Sequence, residues 1–232
     1  MLGVAGGNVA PVGGTSGGAG VFSGASLSNY GTIIGGGVGI GTGSNGAGGT
    51  GVADENGGTL TNNGVIESGA GGGVGVYLSD AILVNNGTIN GEGSAAVQFA
   101  RGDSTLAFGQ SAVFDGAITG FAMGDTLVAD GMVFNSATYV SGVGLELFGA
   151  GGEVTLDLPV NYSGGFFSLT ANGDNTTIRL ATDIGTISTA VTTQVTAGAG
   201  HYLATLTVAG SGSVSPPPMA RPRWWPAPAS AC

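Results

Sequence analysis

The sequence predicts an all-β fold wound as a solenoid of stacked coils, on three observations. A seven-residue pattern, L-x-N-x-G-x-I, occurs three times. Apolar residues elsewhere alternate with a period of two, and no stretch of useful length carries the 3.6-residue period of a helix. Glycine-rich clusters separate the alternating runs, as bends separate short strands.

The three copies are Leu27-Ser28-Asn29-Tyr30-Gly31-Thr32-Ile33, Leu60-Thr61-Asn62-Asn63-Gly64-Val65-Ile66 and Leu83-Val84-Asn85-Asn86-Gly87-Thr88-Ile89, spaced by 33 and then 23 residues. The glycine-rich insertion from Gly35 to Gly51 accounts for the longer spacing, so one coil is about 23 residues, within the range of solenoid repeats. Residues two apart in a strand face the same side, so leucine, asparagine and isoleucine point inward, and Ser28, Tyr30, Thr32, Asn63 and Asn86 point outward. With coils about 4.8 Å apart, Leu60 lies over Leu83 and Ile66 over Ile89, while Asn62 and Asn85 can form an amide ladder. The Asn-x-Gly step is expected to bend because both residues tolerate left-handed backbone, and turn formation is favoured over a ligand role for the asparagines. A second apolar pair is expected after each motif: Val38 and Ile40, Val74 and Val76, Val97 and Phe99. Leu106 and Phe108 form a further pair.

From residue 114 the pattern changes. Leu145–Phe148, Val154–Leu158, Phe166–Leu169 and Thr177–Leu180 read as short strands between Gly, Asn and Asp clusters, expected to continue the solenoid with longer rungs through residue 182. The division expected is a glycine-rich N-terminal coil over 1–26, repeats over 27–113, that continuation over 114–182, a short strand segment over 183–215, and a proline-rich disordered tail over 216–232. The tail holds six of the eight prolines and both tryptophans, a break in composition that marks a linker or tail or translation out of frame.

Composition narrows the function classes. Glycine supplies 50 of 232 residues, but 42% are hydrophobic and only 8% charged, which opposes disorder of the whole chain. Lysine is absent, and Arg101, Arg179, Arg221 and Arg223 face 14 acidic residues for a net charge of −10. Such a surface cannot displace the counterions of nucleic acid and is repelled by anionic membranes. Cys232 is the only cysteine, so no intrachain disulfide forms. No apolar run is long enough for a membrane-spanning helix, and the first residues lack the features of a signal peptide.

Chemistry is sparse. His201, the only histidine, reads as a surface residue beside Tyr202, and one histidine with one cysteine is too few for a zinc site. Asp103, Asp115 and Asp125, 12 and 10 residues apart, could reach adjacent rungs as sugar-cleaving acids do, but turn-capping is favoured. A lone calcium ion on Asp125 or Asp174 stays open as the weaker alternative, since the G-G-x-G-x-D calcium repeat is absent. The glycosylation triplets at Asn86, Asn161 and Asn175 are read as chance matches. Glycine runs such as Gly35–Gly39 are bends rather than phosphate cradles, since no helix follows. No catalytic residue, cofactor or metal is expected.

The L-x-N-x-G-x-I repeats over 27–108 resemble the passenger regions of autotransporter adhesins and related haemagglutinin-like surface proteins of Gram-negative bacteria. The stretch Ile118–Leu127 is similar to a module recurring in them. The resemblance implies a right-handed parallel β-helix at the cell surface, a structural or adhesive passenger with host or environmental glycans, proteins or further copies of itself as partners. This sequence shows neither the export signal nor the membrane-barrel translocator of that family, so a fragment of a longer repeat protein, exported through its parent chain, is expected. A carbohydrate-active β-helix enzyme, lyase or glycoside hydrolase, is the alternative, and a self-assembling fibre unit a third reading.

Overall fold

The computed structural model describes residues 16–39, 46–150, 152–160, 162, 166–181, 186–187 and 207–208, and among these every regular element is a strand. The first coil is β1 (Val21–Ser23), β2 (Ser26–Asn29) and β3 (Thr32–Ile34). The second is β4 (Val52–Glu55), β5 (Thr59–Asn62) and β6 (Val65–Glu67). The third is β7 (Val76–Ser79), β8 (Ile82–Asn85) and the first half of β9 (Thr88–Arg101). The second half of β9, β10 (Thr105–Phe108) and the first half of β11 (Val113–Thr119) make the fourth, and the rest of β11 leads to β12 (Thr126–Ala129). Every pairing between these coils is parallel. The result is a three-sided parallel β-solenoid.

Each side carries an inward column set by strand alternation. Val21, Val52, Val76, Val97 and Ile118 are in register on the first face. Leu27, Leu60, Leu83, Leu106 and Leu127 align on the second. Ile33, Ile66, Ile89 and Phe114 align on the third. Leu60, Leu83, Ile66 and Ile89 are fully buried, as the repeat predicts. Each such side chain is worth about 1.5–3 kcal/mol of burial, supplied by neighbouring coils rather than by its own.

The asparagines form a ladder. Asn29, Asn62 and Asn85 are in register at the end of the second face. Asn29 Nδ2 donates to Asn62 Oδ1 at 2.8 Å, and Asn62 Nδ2 to Asn85 Oδ1 at 2.8 Å. Each amide oxygen also accepts the backbone N–H two residues ahead, at Gly31, Gly64 and Gly87. The motif glycines serve a different purpose from the one expected. Neither they nor the ladder asparagines adopt positive φ. Instead, a β-carbon on Gly64 would collide with the Gly31 carbonyl oxygen, and one on Gly87 with that of Gly64. Glycine is required there because successive backbones touch.

The expected second apolar pairs need correction. Val38 lies outside any strand and Ile40 outside the described residues. The inward pairs of the first face are Val52 with Asp54 and Val76 with Leu78, in register with Val97 and Phe99. The glycine-rich insertion is partly built into the corner between the third and first faces. Gly36 N–H donates to Gly18 C=O, Gly49 N–H to Gly36 C=O and Gly69 N–H to Gly49 C=O. Its ends are backbone packed on backbone, with Gly48 and Gly49 buried.

The expectation that 114–182 continues the solenoid holds only as far as β12. Beyond it, β13 (Phe134–Val140), β14 (Gly144–Gly149) and β15 (Gly152–Leu156) form an antiparallel sheet. β16 (Phe166–Asn172) and β17 (Asn175–Ala181) form an antiparallel hairpin, and β17 pairs antiparallel with β12. Thr176 Oγ1 ties these units together, accepting from Phe134 N–H at 2.9 Å and donating to Met132 C=O at 3.0 Å. The strands were legible as alternation, but alternation carries no information on direction. β18 (Thr186–Ile187) and β19 (Thr207–Val208) pair in parallel. The tail from 216 to 232 lies outside the described residues.

Candidate functional site

The three sequence-singled acids occupy two separate regions. Asp103 and Asp125 lie at the corner between the first and second faces, whereas Asp115 is exposed on the third, in β11. Asp125 is buried, its Oδ1 accepting from Ser104 N–H at 3.0 Å and its Oδ2 from Ala122 N–H at 2.9 Å. Burial pushes its carboxyl up from the usual range, the two amide hydrogen bonds pull it down, and the nearby Asp103 charge adds a further rise. With both oxygens engaged by backbone, Asp125 pins the turn at 120–125 to the rung before it. Asp174 sits in the β16–β17 turn beside Gly173, which has φ of 62°. His201 and Cys232 lie outside the described residues. Among the described residues, no group of three or more His, Cys, Asp or Glu side chains is arranged to hold a metal ion.

One unexpected group is Asp54. It stands in an apolar column, between Ser23 on one side and Leu78 on the other. It has no solvent exposure, and neither carboxylate oxygen has a hydrogen-bond partner. Burial pushes its carboxyl up from the usual range, and the neighbouring Ser23 hydroxyl, which donates to the Ala25 carbonyl at 2.9 Å, offsets only part of that. The signal that could have found it is the alternation Val52-Ala53-Asp54 set against Val76-Tyr77-Leu78.

A cleft of about 500 Å³ opens where the last coil meets the antiparallel sheet. Phe108, Val113, Phe114, Met132, Phe134 and Leu156 contribute its apolar lining, with Asp157 at its side. Phe108 and Phe114 meet edge to face, with ring centroids 6.3 Å apart. Its size falls in the range of ligand-binding pockets. Sequence reading missed it because its two walls come from elements whose antiparallel arrangement was not foreseen.

The geometry defines the class as a parallel β-solenoid with an antiparallel C-terminal cap. No protein-family model matches the chain, and no curated protein and no solved structure matches it either.

Proposed function

We propose that this chain is a non-catalytic structural and adhesive passenger segment of a secreted bacterial cell-surface protein of autotransporter type. The observation that carries the reading is the coil stack itself: interior columns repeat while outward positions vary. Tyr30, Asn63 and Asn86 occupy equivalent outward sites, as do Thr32, Val65 and Thr88. Such a rod separates a repeating interior support from an outward surface whose residues can differ from coil to coil. The absence of lysine and the net charge of −10 favour solubility outside the cell over contact with nucleic acid.

A carbohydrate-active enzyme would need its carboxyl groups gathered about 5–10 Å apart in an open groove. The engagement of Asp125 with backbone amides and the location of Asp115 on another face favour the adhesive reading. The test is immunolabelling of intact cells of the source organism, paired with protease shaving. Labelling without permeabilisation and loss of signal after shaving are expected. Labelling that requires permeabilisation would refute surface placement.

A further inference from the structure

The solenoid ends differently on its three faces. The second face is closed by β17, which pairs with β12. The first is covered by the chain after β15: Ile118 N–H donates to Asp157 C=O at 2.7 Å, and the Tyr162 hydroxyl donates to Phe121 C=O at 3.1 Å. On the third face the last strand is Val113–Asp115 of β11, which pairs with β9 and has no strand on its other edge among the described residues. The cleft of about 500 Å³ opens beside that edge. Val113, in its lining, is 50% exposed.

We propose that this edge and cleft form a docking site for an extended β-strand of a partner protein, with apolar residues at alternate positions and basic residues at its flanks. An unpaired strand edge offers backbone donors and acceptors to an incoming strand, and a pocket beside it selects the alternate side chains. Charge identifies the kind of partner. Asp115 lies on the edge strand and Asp157 borders the cleft, while the described cations, Arg101 and Arg179, are absent from its lining. A second copy pairing edge to edge would gather Asp115 and Asp157 of both copies along one seam without a cation from its lining, and like charges brought together repel. A basic-flanked strand meets complementary charge. The inference goes beyond the surface-passenger reading, because it rests on how the solenoid ends and not on where the protein resides.

The test uses the full chain and a labelled peptide, Lys-Val-Thr-Val-Thr-Val-Lys, titrated by fluorescence anisotropy. Two controls accompany it: the same peptide N-methylated at alternate residues, and a Glu-flanked version. Saturable binding is expected, at least tenfold weaker for both controls. The double variant Asp115→Lys/Asp157→Lys alters exposed side chains only, and its fold is checked by far-UV circular dichroism. It should reverse the preference toward the Glu-flanked peptide. Absence of saturable binding overturns the proposal. Equal binding of the N-methylated peptide overturns strand pairing and leaves a pocket for apolar groups alone. Dimerisation seen by light scattering, and strengthened by removing the two acids, overturns it in favour of a second copy.

Discussion

Replacing Asn62 with aspartate tests the amide ladder with almost no change of volume. The Asn62 amide nitrogen donates to Asn85 Oδ1 at 2.8 Å and to Thr88 C=O at 3.2 Å. Its oxygen accepts from Asn29 Nδ2 at 2.8 Å and from Gly64 N–H at 3.2 Å. Aspartate keeps the accepting half and loses both donations, leaving a carboxylate oxygen against two acceptor oxygens in a fully buried site. Two lost hydrogen bonds and the stranded acceptors together cost about 4 kcal/mol at neutral pH. The introduced carboxyl should have a folded pKa raised above its unfolded value, because burial and facing oxygens disfavour the charge. The deficit is then present at neutral pH and shrinks as pH falls through the folded pKa, where the protonated oxygen donates to Asn85 again. Urea unfolding followed by far-UV circular dichroism, variant against wild type at each pH, measures both effects. Asn63→Asp is the control: its side chain is exposed and already acts as the acceptor for Asn86 Nδ2, so a change below about 0.5 kcal/mol is expected. A loss under about 1 kcal/mol for Asn62→Asp, or one that does not diminish with acidification, would refute the ladder's contribution to stability.

Asp54→Leu keeps the branched side-chain skeleton, with methyls in place of the oxygens, and continues the Leu78–Phe99 column, so a gain of about 1–3 kcal/mol at neutral pH is expected in the same urea assay. Since burial raises the folded pKa of Asp54, the wild type loses stability as pH rises from the unfolded value, about 4, through the folded one; a gain that does not narrow on acidification would contradict this. Leu83→Ala, at the centre of its column, should cost about 3–5 kcal/mol, while Leu27→Ala on the half-buried first coil should cost clearly less; equal losses would argue against column packing. Gly87→Ala should lower the thermal midpoint because its methyl meets the Gly64 carbonyl, whereas a β-carbon on Gly31 meets nothing within 4 Å and Gly31→Ala should be tolerated; similar midpoints for the two variants would show that the coils do not touch there.

Much of the solenoid was legible because one motif repeats the inward sequence of two adjoining strands. Leu60 over Leu83, Ile66 over Ile89 and Asn62 bonded to Asn85 all follow from the spacing alone. The column of the first face was misassigned in its lower coils, since the glycine-rich bend before it varies in length and lets Val38 imitate Val52. Asp54 was hidden by the same error: a carboxylate among apolar neighbours is visible only once the register is right. The antiparallel cap was not legible, as strand direction depends on tertiary pairing such as Leu127 opposite Ile178. With the cap went the cleft, whose walls are Phe114 from one architecture and Leu156 from the other. The turn-capping reading of Asp125 follows from its place before a rung, and the geometry bears it out.

The identity of register between the second and third coils has a genetic consequence. The segment from Leu60 to Ile82 begins and ends at equivalent points, because Leu83 occupies the place on its rung that Leu60 occupies on the one below. A tandem duplication of those codons by unequal recombination would insert a whole storey, lengthening the rod by about 4.8 Å while offering Asn62, Gly64 and Ile66 the same neighbours they already have. A change of length by whole coils is therefore compatible with every existing coil keeping its fold.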